Sequence, residues 1–103
     1  MKNILLSADG EISVFTVPDE VADNLEQYCL HFCCDWLYES PDAAKYRVEM
    51  EGEVGASYCE KDFIDYLNQY VCKEQSRLIA VLTDVYCEDE VPREYAGLPY
   101  FNF

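Results

Sequence analysis

The chain has 103 residues, 21 of them Asp or Glu against seven Lys or Arg, giving a formal net charge of −14 at pH 7, yet half of it is apolar and 15% aromatic. A disordered acidic tail would be poor in aromatics, and a nucleic-acid-binding domain needs a basic patch that releases counterions. Composition therefore excludes both and describes a folded chain whose negative surface repels nucleic acid and attracts basic proteins.

At this length a single domain over residues 1–103 is expected, with a core that needs no obligatory staple. The longest apolar runs, such as Leu78 to Leu82, are too short to span a bilayer, and the N-terminus shows no signal-peptide core. A cytoplasmic location in a bacterial host cell is expected, and with it six cysteines that stay reduced.

Asn3 to Ala8 and Glu11 to Val17 are β-prone segments separated by Asp9-Gly10, a pair that favours the positive φ of a tight hairpin turn. Pro18-Asp19-Glu20 then opens a helix, placing a proline and two carboxylates at its positive end. Helical periodicity runs to Glu39, with Ala22, Leu25, Cys29, Phe32, Cys33 and Trp36 on one apolar stripe, and Ser40-Pro41 ends it. After a short connection through Asp42-Ala43-Ala44, Tyr46 to Val54 alternates as a third strand, with Val48 and Met50 on one side and Arg47, Glu49, Glu51 and Glu53 on the other. A second helix over Glu60 to Cys72 is predicted to turn Phe63, Leu67, Tyr70 and Val71 inward and Lys61, Asp65, Asn68 and Cys72 outward. Arg77 to Val85 fits both a buried strand and a helix; its density of Leu, Ile and Val favours the strand. The aromatic tail, residues 88–103, is expected to dock on the core. The order ββαβαβ predicts an α+β fold in two layers, a small antiparallel or mixed sheet of about four strands with two helices packed on one face.

Three constellations could carry chemistry. Cys29, His31, Cys33 and Cys34 are metal-capable types, but helical geometry puts Cys29 and Cys33 on the apolar stripe and His31 and Cys34 on the opposite side. Only His31 and Cys34 remain as candidate ligands, in a site shared with a partner, and a zinc-binding structural or regulatory domain is the alternative reading. No cofactor is expected. A nucleophilic cysteine would need an electropositive setting, whereas the many carboxylates raise thiol pKa values, so the chain is read as non-enzymatic. The third constellation is the negative charge itself: Asp19, Glu20 and Asp23 (with Glu26) at the first helix, Glu49, Glu51 and Glu53 on one strand face, and Glu88, Asp89 and Glu90 before Pro92. Alternate residues on a strand lie about 6.6 Å apart, close to the phosphate repeat of a nucleic-acid strand. These nine residues are the candidate contacts for a basic, nucleic-acid-binding protein, made by a monomer or homodimer without nucleic acid or membrane.

The opening Met1-Lys2-Asn3-Ile4-Leu5-Leu6, the segment Val17 to Leu25, the segment Glu60 to Asn68 and the ending Pro99-Tyr100-Phe101-Asn102-Phe103 resemble a family of small acidic proteins carried on phages and conjugative elements of Gram-positive bacteria. The likeness covers most of the chain. It implies a mobile-element setting, in which the chain is similar in character to anti-CRISPR proteins, some of which block the nucleic-acid channel of a Cas nuclease. An inhibitor of a Cas9-type effector is the function this implies.

Overall fold

A computed structural model describes residues 1–103. Its main sheet is built on the predicted hairpin: β1 (Lys2–Ser7) pairs antiparallel with β2 (Ser13–Val17), from Lys2 opposite Val17 to Leu6 opposite Ser13. The loop is longer than an Asp-Gly turn requires. Asp9 alone is left-handed, at φ 57°, and the loop is held by Asn102, whose Oδ1 accepts the Asp9 backbone N–H at 3.0 Å and the Ser7 hydroxyl at 2.9 Å.

β5 (Arg77–Val81) adds antiparallel to β2, and β6 (Tyr100–Asn102) adds parallel to β1, for the order β5-β2-β1-β6. Of the strand read over 77–85 only 77–81 forms one, and β5 is an edge, not a buried strand. Leu78, Ile79 and Val81 are exposed, and the extra residue Ile79 bulges where β2 steps from Val14 to Phe15. Bulges of this kind blunt an open sheet edge.

Alternation divides the sheet into two faces. Ile4, Leu6, Phe15 and Val17 face the helices and join Val21, Leu25, Cys29, Phe32, Phe63 and Leu67 in the main core. Leu5, Ile12, Val14 and Leu82 form a second cluster on the other face, covered by Val85, Val91, Tyr95, Leu98 and Tyr100. The helices thus share one face, as expected, and the C-terminal segment closes the other.

The first helical region comprises α1 (Asp19–Asp23), α2 (Leu25–Leu30), a π-helical turn over His31–Trp36 and α3 (Leu37–Glu39). In the π turn the Leu37 N–H bonds to the Phe32 carbonyl five residues back. A π turn inserts one residue into the helical repeat, so the buried stripe jumps from Phe32 to Leu37, and Trp36 is only half-buried. Phe32 is the hub of the core, with ring centroids of Trp36, Tyr58, Phe63, Tyr66 and Phe103 at 5.2–5.9 Å.

The same device alters the second helix. α4 (Glu60–Tyr66) runs into a π turn at Leu67–Val71, closed by the Cys72 N–H on the Leu67 carbonyl at 2.8 Å. Tyr70 and Val71, predicted inward, are rotated out to solvent, while Ile64 and Tyr66 are buried. Asn68 and Cys72, predicted outward, are half-buried. Asn68 accepts the Ser76 N–H at 2.7 Å and donates to the Ser76 carbonyl at 3.0 Å, pinning the link to β5.

The predicted third strand is instead a separate hairpin, β3 (Arg47–Met50) and β4 (Glu53–Ala56), outside the main sheet. Residues 41–46, read as a connection followed by the strand's first residue Tyr46, form a 3₁₀ helix whose first turn is capped by Ser40 Oγ on the Asp42 N–H.

Candidate protein-binding surface

The hairpin reverses at Glu51 and Gly52, both left-handed at φ 51° and 81°, the paired positive φ of a type I′ turn. The register sets Val48 opposite Gly55, Glu49 opposite Val54 and Met50 opposite Glu53. Directly opposed residues share a face, so Glu53 lies with Val48 and Met50, Glu49 lies with Val54, and Glu51 occupies the turn. The three glutamates are therefore not a row on one strand face, and the phosphate-like repeat expected of them is absent. They form an acidic tip around exposed apolar groups, Met50 at 70% and Val54 at 55% exposure.

Arg47, placed with the acidic face by alternation, does not neutralise it. Its guanidinium donates to the carbonyls of Tyr38 at 2.8 Å and Ser40 at 2.9 Å, the C-terminal end of α3. This contact and the packing of Tyr46 and Ala56 on the main core anchor the hairpin's base, leaving its tip to solvent.

The α1 group is partly neutralised. The terminal ammonium lies 3.0 Å from Asp19, and its hydrogen bond holds that carboxyl below the usual carboxylate range. Lys2 Nζ lies 2.7 Å from Asp23, whose hydrogen bond raises the lysine pKa. Glu20 has no such partner and borders a cleft with Tyr28. Glu88, Asp89 and Glu90 make a 3₁₀ turn within the segment that covers the sheet's second face, so they and the α1 group lie on opposite layers. All nine candidates are exposed, but no single patch gathers them.

Apart from Asp19, Asp23 and Asp35, none of the 21 carboxylates is in contact with a cationic or imidazole nitrogen. Asp35 sits 3.3 Å from His31 Nδ1. The other metal candidate, Cys34, has its Sγ 3.7 Å from that of Cys33, and nowhere do three His, Cys, Asp or Glu side chains converge on a common point. Burial pushes Cys29 far up and Cys33 up to about 11, and burial followed by Glu20 and Glu74 raises Cys72.

Alternation missed the Glu51-Gly52 reversal because Glu is a poor left-handed residue; only the following glycine signalled it. No helix is long and apolar enough to cross a membrane. Comparison with family models, curated proteins and solved structures finds no match.

Proposed function

We propose that the chain acts by binding, presenting its carboxylates to the Lys and Arg residues of a nucleic-acid-binding protein and occupying the place of the nucleic acid. The observation that carries this reading is that nearly all of the 21 carboxylates are free of cationic partners, so the field is directed outward. The acidic hairpin tip, Glu49, Glu51 and Glu53 around Met50 and Val54, supplies both steering charge and apolar area, the combination of a polar rim and a desolvated anchor. Asp19, Glu20, Asp23, Glu88, Asp89 and Glu90 extend the negative field beyond the hairpin and contribute to encounter more than to the docked contact.

The sharpest form of the proposal is an anti-CRISPR inhibitor that competes with the guide, target or displaced strand for the basic channel of a Cas9-type effector. The test is association of the purified chain with such an effector, with and without competing DNA, at low and high salt. The expected result is binding that DNA displaces, that high salt weakens, and that Glu49→Lys/Glu51→Lys/Glu53→Lys weakens at least tenfold. Binding unchanged by salt and by the triple substitution would remove the electrostatic mechanism. Absence of binding to the effector at low salt would remove this target.

A further inference from the structure

Glu20 borders a cleft of about 480 Å³ with Asn24, Gln27, Tyr28, His31 and Tyr66. The volume falls within the range of ligand sites, roughly 300–1,000 Å³. Glu20, Asn24, Gln27 and His31 follow one another at spacings of four, three and four, so they form one polar stripe along the first helical region. The wall across from them ends at Val71, the last residue of the second π turn, while His31 is the first residue of the other. Both departures from regular helix thus abut the same cleft, and such turns concentrate at functional sites.

The chemistry of the lining is one-sided. Asp19 and Asp23, on either side of Glu20 in sequence, are spent on the terminal ammonium and Lys2, but Glu20 has no cationic partner. Asn24 uses its amide Nδ2 to donate to the Glu20 carbonyl at 3.0 Å, which leaves its Oδ1 as an acceptor. Tyr28 adds a half-buried ring, and burial, followed by a hydrogen bond to the Glu20 carboxylate and its charge, raises its hydroxyl above the ordinary phenol pKa. No Lys or Arg lines this cleft.

We propose that this cleft is a receptor site for one arginine side chain of the protein partner. A planar guanidinium fits it: two parallel N–H donors meet the Glu20 carboxylate, further donors reach Asn24 Oδ1, and the cationic plane rests on the Tyr28 ring. The site rests on the reading that the partner is basic, and adds to it a fixed anchor point on the helical layer, separate from the hairpin tip.

The test is titration of the full-length ¹⁵N-labelled chain with N-acetyl-arginine amide, followed by backbone amide shifts, with the neutral isostere N-acetyl-citrulline amide as the comparator. Saturable shifts confined to Glu20, Asn24, Gln27, Tyr28 and His31 are expected, weakened at least tenfold by Glu20→Gln and at least tenfold for the citrulline compound. Shifts spread without saturation over the hairpin and Glu88–Glu90, or citrulline binding equal to arginine, would overturn the proposal. Because Glu20 is exposed, Glu20→Gln leaves the fold intact, which the same spectra verify. Loss of the arginine titration with hairpin-dependent effector binding preserved sinks the cleft alone. The converse result sinks the proposed function and leaves the cleft standing.

Discussion

The turn of the β3–β4 hairpin places a glutamate where an asparagine or glycine would be more comfortable. Glu51 sits at φ 51°, and the left-handed region costs a residue with a Cβ roughly 1–2 kcal/mol. Asparagine recovers part of that cost through its short side chain, so Glu51→Asn is expected to stabilise the hairpin by about 0.7 kcal/mol. Both neighbours in the acidic tip, Glu49 and Glu53, lie on the flanking strands, and removing the carboxylate also relieves their repulsion. Glu51→Gln isolates that second effect, because it deletes the same charge without improving the turn. The assay is amide hydrogen exchange across β3 and β4, whose tip opens locally rather than with the whole molecule. Glu51→Asn should slow exchange about threefold relative to Glu51→Gln, the factor that about 0.7 kcal/mol implies. Both variants should weaken effector binding alike, since both lose the carboxylate. Equal exchange in the two variants would refute the turn argument. Binding equal to the parent chain in both would refute the idea that the strain is tolerated for the sake of a carboxylate at the tip.

Asn102→Ala removes the acceptor shared by the Ser7 hydroxyl and the Asp9 N–H; because the buried Ser7 hydroxyl keeps the Tyr100 hydroxyl at 3.0 Å, the loss should be about 0.5–1.5 kcal/mol in urea unfolding, and a cost near zero would show that β6 does not secure the β1–β2 loop. Cys87 is exposed, but a hydrogen bond from its side chain to Glu90, together with slight burial, raises its pKa. Less of it is thiolate at pH 8 than of an ordinary exposed thiol, so it should alkylate more slowly, its rate should climb with pH beyond 9, and Glu90→Gln should speed it up, as read by mass spectrometry with iodoacetamide. An unchanged rate in Glu90→Gln would show that the carboxylate does not govern this thiol.

The parts of the fold that were legible are those where one local signal decides the conformation. The Asp9-Gly10 pair between two β-prone segments marks the β1–β2 hairpin, and the apolar stripe from Ala22 to Phe32 fixes the face of the first helical region, because that face is buried in the main core. Legibility fails where a single residue shifts the phase. One inserted residue in the π turn after Leu30 carries burial from Trp36 to Leu37, and the turn after Tyr66 expels Tyr70 and Val71. A regular helical wheel contains no term for either. The hairpin fails for the same kind of reason. Once Glu51 reverses the chain, every later residue returns along the opposing strand, so Glu53 shares a face with Met50 by register rather than by alternation along one strand. β6 is three residues long, too short for periodicity to mark, and it is held by its pairing with β1 and by Asn102. The candidate site divides along the same line: the charges could be read from composition, while their grouping depended on the turn and on which acids had found partners.

Solubility alone would be served by acidic residues almost anywhere on the surface, so it does not account for where some of them stand. A carboxylate at a strained left-handed turn costs backbone energy that an asparagine would spare. A carboxylate left unpaired beside a phenol, one position from Asp19 and three from Asp23, both of which do have cationic partners, forgoes an ion pair that its neighbours obtained. Glu51 thus stands where its backbone works against the stability of the isolated chain, and Glu20 stands without the ion pair its neighbours have; they mark the hairpin tip and the cleft. Local choices that oppose folding persist at functional positions more often than elsewhere. On that ground the two substitutions that discriminate best are at these residues. Glu51→Asn should stabilise the chain while weakening association, and Glu20→Gln should leave stability unchanged while weakening arginine recognition at least tenfold. A purely solubilising role would leave both binding readouts where they began.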